Sequence, residues 1–193
     1  MKKSIMYVGL DVHKNSIEVA FAEAGRHGEV RSYGKIDGNL TALDKVIRKL
    51  EGKGSELHFA YEAGPCGYEI YRHLISNGYD CIVVAPSMIP RQSGNRIKTD
   101  RRDAQMLARL HRAGELTSIY VPALEDEAMR DLTRAREDAR SVERKAKQRI
   151  LAFLLRHGYR YGGKTPWSRA HFRWIALIKM PHPAQQIVLQ ESL

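Results

Sequence analysis

The spacing of apolar residues changes along the first 85 positions, and this change restricts the folds that the chain can adopt. Short apolar runs and alternation of apolar residues predict three strands joined by short turns, at residues 6–10, 16–22 and 30–36. Helical spacing follows over residues 40–50, where Asn39 is the expected N-cap. A strand, a short helix and another strand complete the pattern before Pro86. Three strands followed by helix, strand, helix and strand predict an α/β domain, with a mixed sheet flanked by helices.

Beyond Pro86 the pattern becomes helical. Thr99 is a suitable cap for a helix over residues 100–113, and the stretch from Leu124 to about His157 contains no Gly or Pro, which predicts one long helix. Small and apolar residues recur along this helix at intervals of four and three, forming a heptad seam: Ala128, Leu132, Ala135, Ala139, Val142 and Ala146. A seam so rich in alanine favours close packing against another helix.

Charge is distributed unevenly along the sequence. The chain has 32 Lys and Arg against 22 Asp and Glu, a net charge of +10. Residues 1–90 contain 11 of each sign, so the whole excess lies in residues 91–193. Positive charge concentrated in one half is typical of a protein that binds a polyanion, because Lys and Arg release counterions from phosphates. A solvated helix surface is the alternative explanation of this charge. Its concentration in one half of the sequence favours binding to nucleic acid.

Other features exclude several classes of protein. No apolar run approaches the roughly 18 residues of a membrane-spanning helix, and the first apolar stretch ends at Asp11, which argues against a signal peptide. Cys66 and Cys81 are too few for a disulfide framework or a zinc cluster. We therefore expect a protein of the reducing cytoplasm that has no membrane partner.

Four carboxylates form a candidate catalytic set. Asp11 and Glu62 each follow an apolar strand, and Asp100 and Asp103 are spaced to share one face of a helix. If the four converge, cations must neutralise them, and oxygen ligands at this density select Mg²⁺ or Mn²⁺. Two such ions can support phosphodiester cleavage. Taken singly, each residue also fits a turn or a helix N-terminus, where acids are common.

Basic residues surround two of these acids and cover the long helix. We predict that they contact the nucleic-acid backbone: Arg91, Arg96, Lys98, Arg101, Arg102, Arg140, Arg144 and Lys147. His13, shortly after Asp11, fits a solvated turn, with phosphate contact as the alternative. Trp167 and Trp174 fit hydrophobic packing, with base stacking as the alternative.

Three motifs carry a resemblance to a known family. VGLDVHK at residues 8–14, YEAGPCG at 61–67 and KTDRRDA at 98–104 closely resemble transposases of the insertion-sequence one-ten family, which are DEDD recombinases of bacterial mobile elements. The third motif is highly specific and the first two moderately so. The likeness extends over the whole chain, including TPW at residues 165–167.

The resemblance implies a fold and a mechanism. It implies an RNase H-like, RuvC-like catalytic domain, here over residues 1–115, and a long basic helix over 116–160 that forms a coiled coil and assembles a dimer or tetramer. Residues 161–193 would begin a helical region that stops before a downstream domain, which in the family carries a serine nucleophile.

The family's motifs also assign residues and partners. The four family acids match Asp11, Glu62, Asp100 and Asp103 one for one as Mg²⁺ ligands. The resemblance further implies DNA as substrate and a structured guide RNA encoded by the mobile element.

Alternatives to a recombinase remain open at this point. A Holliday-junction-type hydrolytic nuclease would use the same fold without rejoining strands, and a non-catalytic nucleic-acid-binding fragment would use only the basic half. A sugar-kinase or actin-like phosphotransferase also begins with a strand and an aspartate, but it usually needs a glycine beside that aspartate, where this chain has Val12.

Overall fold

The computed structural model describes residues 4–25, 28–52, 54–90 and 99–192. Its first part contains five strands and three helices. The strands are β1 (Ser4–His13), β2 (Ser16–Glu23), β3 (Val30–Asp37), β4 (Ser55–Glu62) and β5 (Asp80–Val84). The helices are α1 (Leu40–Glu51), α2 (Glu69–Ser76) and α3 (Asp100–Ala113), and a short 3₁₀ turn covers Pro86–Met88. The predicted order of strands and helices is confirmed.

The strands form one mixed sheet in the order β3-β2-β1-β4-β5. β2 is antiparallel to β1 and β3, whereas β1, β4 and β5 are parallel to one another. The short turns between the first three strands impose the antiparallel pairs, and the helical crossovers impose the parallel ones. The predicted fold class, an RNase H-like mixed sheet flanked by helices, is confirmed.

Helices cover both faces of this sheet. Met6, Val8 and Leu10 of β1 share a core with the buried stripe of α1, which comprises Leu43, Val46, Ile47 and Leu50. Because successive strand residues point to opposite faces, the intervening Gly9 lies on the other face, and there it contacts α3. The predicted caps are present, since Asn39 accepts a hydrogen bond from the Ala42 amide and Thr99 accepts one from the Arg102 amide.

One expectation about β1 is wrong. Asp11 does not follow the end of its strand but lies within it, because β1 continues to His13. The antiparallel ladder with β2 extends through the pairs Asp11–Glu18 and His13–Ser16 to the hairpin turn, whereas the parallel ladder with β4 ends at Leu10–Tyr61. An antiparallel partner thus keeps the backbone extended beyond the point where the parallel partner ends.

The remaining described residues are helical. They form α4 (Leu124–Arg156), α5 (Arg169–Leu177) and α6 (Pro183–Glu191), and the predicted long helix is confirmed. The end of α4 shares a small core with the two short helices, comprising Ile150, Leu154, Ile175, Ile178, Met180 and Leu189. The predicted heptad seam lies mostly on the surface, with Leu132 63% and Val142 67% exposed. A coiled coil therefore stays a prediction.

The chain divides into two compact units, Met1–Val121 and Pro122–Leu193. We call them the sheet unit and the helical unit. The predicted assignment of roles to residues 1–115, 116–160 and 161–193 is not tested by this division and stays a prediction. None of the helices in the described part of the chain has both the length and the apolar character required to cross a bilayer.

Candidate metal centre and nucleic-acid surface

The candidate site begins with the close packing of α3 on β1. At Gly9, a Cβ atom would collide with the backbone of Ala104 and Ala108 in α3, so only glycine allows this approach. The two elements run in opposite directions, because Tyr7 packs edge-on against His111 near the end of α3, with ring centroids 5.2 Å apart. The start of α3 therefore lies beside the residues that follow Gly9 on the same face of β1.

Those residues are Asp11 and His13, which alternate with Val12 on the strand. His13 Nε2 lies 3.1 Å from Asp11 Oδ2 and 3.6 Å from Asp100 Oδ1, at the first turn of α3. One ligand atom from each of the three side chains lies within 4.8 Å of the other two. The Asp11 side chain is 16% exposed, whereas those of His13 and Asp100 are 52% and 50% exposed. The cluster therefore opens to solvent on one side.

Electrostatics links Asp103 to the same cluster. Burial raises the pKa of the Asp11 carboxyl above its ordinary value, and the negative charges of Asp103 and Asp100 raise it further, while His13 opposes the shift. Three aspartates thus influence one another around a partly buried point. A cation placed there would relieve this repulsion and favour the charged form of Asp11.

Glu62 lies at the same edge of the sheet. It ends β4, and because Leu10 pairs with Tyr61, Glu62 is the residue level with Asp11. His58, four residues earlier in β4, packs against Tyr7 with ring centroids 5.7 Å apart. Because alternate residues of a strand share a face, His58 and Glu62 both lie on the face of the sheet that α3 covers. The backbone register brings Glu62 beside Asp11, and the described contacts include no bond between their side chains.

The predicted nucleic-acid-binding residues fall into three groups. Arg91, Arg96 and Lys98 lie outside the described residues. Arg101 and Arg102 lie in the first turn of α3, directly after Asp100, and both are exposed. Arg140, Arg144 and Lys147 lie on α4 in the helical unit, where they line one groove.

His13 is the residue that sequence reasoning undervalued. The sequence favoured a solvated turn for it, and the structure instead directs its imidazole at two aspartates. The signal was present in the spacing, because residues two apart in a strand share a face. This spacing could be interpreted only once β1 was known to continue to His13.

The sheet order β3-β2-β1-β4-β5, with β2 antiparallel to its neighbours, defines an RNase H-like fold. The family model for DEDD transposases of the IS110 type, described as Transposase, matches residues 8–158. The chain belongs to this transposase family.

Two curated relatives agree with this family. "Putative transposase y4qE" of Sinorhizobium fredii is 49% identical over 187 residues, which are 97% of this chain and 48% of the relative. The transposase for insertion sequence element IS1533 of Leptospira borgpetersenii is 40% identical over 177 residues, 91% of this chain and 51% of the relative. The chain therefore spans about half the length of these relatives.

Two solved structures of RuvC from Thermus thermophilus are also similar to this chain. One is in complex with a Holliday junction substrate and has a TM-score of 0.38, and the other has a TM-score of 0.40. Each is 11% identical and covers 60% of this chain and 100% of the RuvC chain.

Proposed function

We propose that the sheet unit is the metal-binding, DNA-cleaving part of a transposase. Asp11, Glu62, Asp100 and Asp103 hold Mg²⁺ or Mn²⁺, and cleavage of a phosphodiester bond precedes transfer of the strand. The observation that carries the proposal is the convergence of Asp11, His13 and Asp100 at the start of α3, in a chain that belongs to a transposase family.

The donor set fits a divalent cation. Carboxylate oxygens are the ligands that Mg²⁺ and Mn²⁺ prefer. Burial and, to a smaller extent, repulsion from Asp103 and Asp100 raise the pKa of Asp11, and a bound cation would oppose both effects. When bound, such ions activate a nucleophile and stabilise the leaving oxygen of a phosphodiester.

The chain's own residues have distinct tasks in this proposal. β1 and α3 are packed elements, so they fix the positions of Asp11 and Asp100 before any ligand arrives. His13 orients the Asp11 carboxylate through the contact of 3.1 Å. Arg101 and Arg102, exposed in the turn that carries Asp100, attract the phosphate backbone towards these acids.

Mn²⁺ binding to the 193-residue chain tests the metal centre directly. We expect the chain to deplete the electron paramagnetic resonance signal of free Mn²⁺, and Asp11→Asn to weaken this binding at least about tenfold because a charged ligand is lost. Asp131→Asn, on the exposed surface of α4, is the matched control and leaves the affinity unchanged. Equal affinity of the Asp11 variant and the original chain would contradict the proposed site.

DNA and an element-encoded guide RNA are the proposed partners. Support comes from the helical unit, where residues 144–190 contain ten Lys and Arg and neither Asp nor Glu. A surface of this charge attracts a phosphate backbone whatever its sequence. We place this activity in the cytoplasm, where a mobile element meets its DNA target.

Assembly through α4 is part of the same proposal. Leu132 and Val142 expose about two thirds of their side chains along the heptad seam. We expect them to become buried in a dimer or tetramer, because such a stripe gains free energy by packing against another helix. Sedimentation of Leu132→Glu, against Asp131→Asn as control, tests this, and an unchanged molecular mass would contradict it.

A second candidate function is nucleic-acid binding without catalysis. It is favoured by the same acid-free basic segment, residues 144–190. A branched DNA junction incubated with Mn²⁺ separates the candidates. Cleavage that Asp11→Asn abolishes supports the metal centre, and binding without cleavage or Mn²⁺ uptake supports the second function.

A further inference from the structure

The helical unit contains a groove that the metal centre leaves unexplained. It has a volume of about 530 Å³ and runs along one side of α4, with Trp167 on its wall. Arg140, Arg144, Lys147 and Leu151 line it at intervals of four, three and four residues, so they share one face of the helix. Two carboxylates, those of Glu137 and Glu143, also line it, so the three cations leave the groove a net positive charge of one beside the indole.

Trp167 is held in this wall by a strained backbone. Its φ of 62° is left-handed, and it is the one such non-glycine residue within the described ranges. For a bulky side chain this conformation is an outlier, and strain of this kind persists only where the surroundings impose it. The Trp167 ring also packs against the small core of the helical unit, and its centroid lies 5.7 Å from that of Phe172.

The group that holds the Trp167 backbone is His171, which is fully buried. The Trp167 backbone N–H donates to His171 Nδ1 at 2.9 Å, and the His171 ring stacks on Trp174 at a centroid distance of 5.6 Å. Ser168 caps α5 by accepting a hydrogen bond from the His171 amide. A buried imidazole between a cap and an aromatic ring therefore fixes the indole at the edge of the groove.

Charges in the groove suit a phosphate beside the indole. Lys147 Nζ lies 5.6 Å from the centre of the Trp167 ring and also forms an ion pair with Glu143. This contact lowers the pKa of the Glu143 carboxyl, which stays ionised and is flanked by Arg140 as well. From residue 144 to residue 190 every charged side chain is basic. A base against the indole would have its phosphate within reach of Lys147 and Arg144.

We propose that this groove binds an unpaired nucleotide of a single-stranded nucleic acid, with the base stacked on Trp167 and the phosphate held by Arg140, Arg144 and Lys147. Aromatic stacking next to a basic stripe is the combination that single-stranded nucleic acids require. The inference rests on the proposed function in that the protein acts on nucleic acid. It is independent of the Asp11 cluster.

Oligonucleotides with and without bases test the stacking. The probes are fluorescent single strands of about 12 nucleotides, as RNA, as DNA and as a DNA backbone of abasic sites, titrated with the 193-residue chain. We expect tighter binding of the strands that carry bases, and quenching of tryptophan fluorescence that persists in Trp174→Phe. Trp167→Leu weakens binding to those strands about fivefold or more and leaves binding to the abasic strand unchanged.

Arginine variants separate the groove from general charge attraction. Arg144→Gln weakens binding to all three strands and reduces the salt dependence by about 0.7 in log–log slope, the value of one phosphate contact in a single strand. Arg136→Gln is the matched control on the same helix, since it removes the same charge away from the groove. It leaves the preference for strands with bases intact and changes affinity less than Arg144→Gln does.

Several outcomes overturn the inference. These are equal affinity for abasic and normal strands, an unquenched Trp167, or a Trp167→Leu variant with an unchanged melting temperature that binds like the original chain. Mn²⁺ binding measured on the same samples reports on the metal centre separately, so the groove and the metal centre succeed or fail independently. The RNA and DNA strands identify which nucleic acid the groove prefers.

Discussion

The two units assemble their candidate sites in different ways. In the sheet unit, Asp11 and Asp100 come from distant parts of the sequence, and they meet because α3 packs on β1 at Gly9. In the helical unit, helical spacing alone places Arg140, Arg144 and Lys147 on one face of α4, and tertiary packing adds Trp167 to their groove. A site built by tertiary packing is rigid and depends on the core, whereas a stripe on an exposed helix survives changes in the surrounding structure.

The largest expected effect compares two leucines of α4. Leu154 is 1% exposed in the small core of the helical unit, and Leu154→Ala should lower the free energy of unfolding of that unit by about 2–5 kcal/mol. Leu132 is 63% exposed, and Leu132→Ala should change it by less than about 0.5 kcal/mol in a monomer. Chemical denaturation followed by circular dichroism measures both variants.

The concentration dependence of these values adds a second test. If α4 associates through its seam, the destabilisation by Leu132→Ala grows with protein concentration. A large effect of Leu132→Ala at low concentration would contradict the exposed position of this residue.

Gly9→Ala should disrupt the contact on which the proposed metal centre depends. The added methyl group meets the backbone of α3, so we expect a loss of about 1–3 kcal/mol in the free energy of unfolding. Mn²⁺ affinity should fall as well, because α3 carries Asp100. Gly162→Ala, where the new methyl group enters open space, is the control in the helical unit. Equal stability of the two variants would show that α3 does not pack closely on Gly9.

Acid should weaken the sheet unit through His111. Burial lowers the pKa of His111 to about 4, so the folded protein holds a neutral imidazole that the unfolded chain protonates below pH 6.5. This contribution to stability is complete above pH 6.5 and is lost as the pH falls towards 4. After an allowance for partial exposure, we expect a loss of about 1–2 kcal/mol across that range.

Thermal unfolding at a series of pH values measures this loss. His111→Gln should flatten the profile of the sheet unit. Burial also lowers the pKa of His171, so His171→Gln should flatten that of the helical unit. A profile that neither variant changes would exclude both histidines as the source of acid sensitivity.

The smallest expected effect is a gain in stability. The raised pKa of Asp11 means that its charge is unfavourable in the folded protein, so Asp11→Asn should raise the free energy of unfolding slightly without metal. Asp100→Asn, at a half-exposed position, should change it less. Differential scanning calorimetry in the presence of a chelator provides the measurement. A less stable Asp11→Asn protein would show that the contact with His13 outweighs the cost of burying the charge and the repulsion from Asp103 and Asp100.

Much of the fold was predictable from local patterns. Apolar spacing identified the strands and helices, and the capping side chains of Asn39 and Thr99 marked two helix starts. These features were readable because period and capping depend on neighbours within a few residues. The end of β1 could not be predicted in this way. The length of this strand depends on its hydrogen-bonded ladder with β2, which the spacing of apolar residues does not reveal.

The candidate sites were predictable to different degrees. The motifs indicated Asp11, Glu62, Asp100 and Asp103, whereas the part played by His13 required the geometry of β1 against α3. The basic stripe of α4 was readable from spacing. The fixed indole of Trp167 was not, because a left-handed backbone held by a buried imidazole leaves no local pattern.

By itself the sequence determined the order of strands and helices, the family and the basic character of the second half, since each depends on residue type and local spacing. Tertiary structure decided which carboxylates share a site, because Gly9 has no side chain and therefore lets α3 pack closely on β1. It also decided that Trp167 faces the arginines of α4, because the imidazole of His171 holds the backbone there. Both decisions depend on contacts between segments distant in the chain, and such contacts form only when the core is packed.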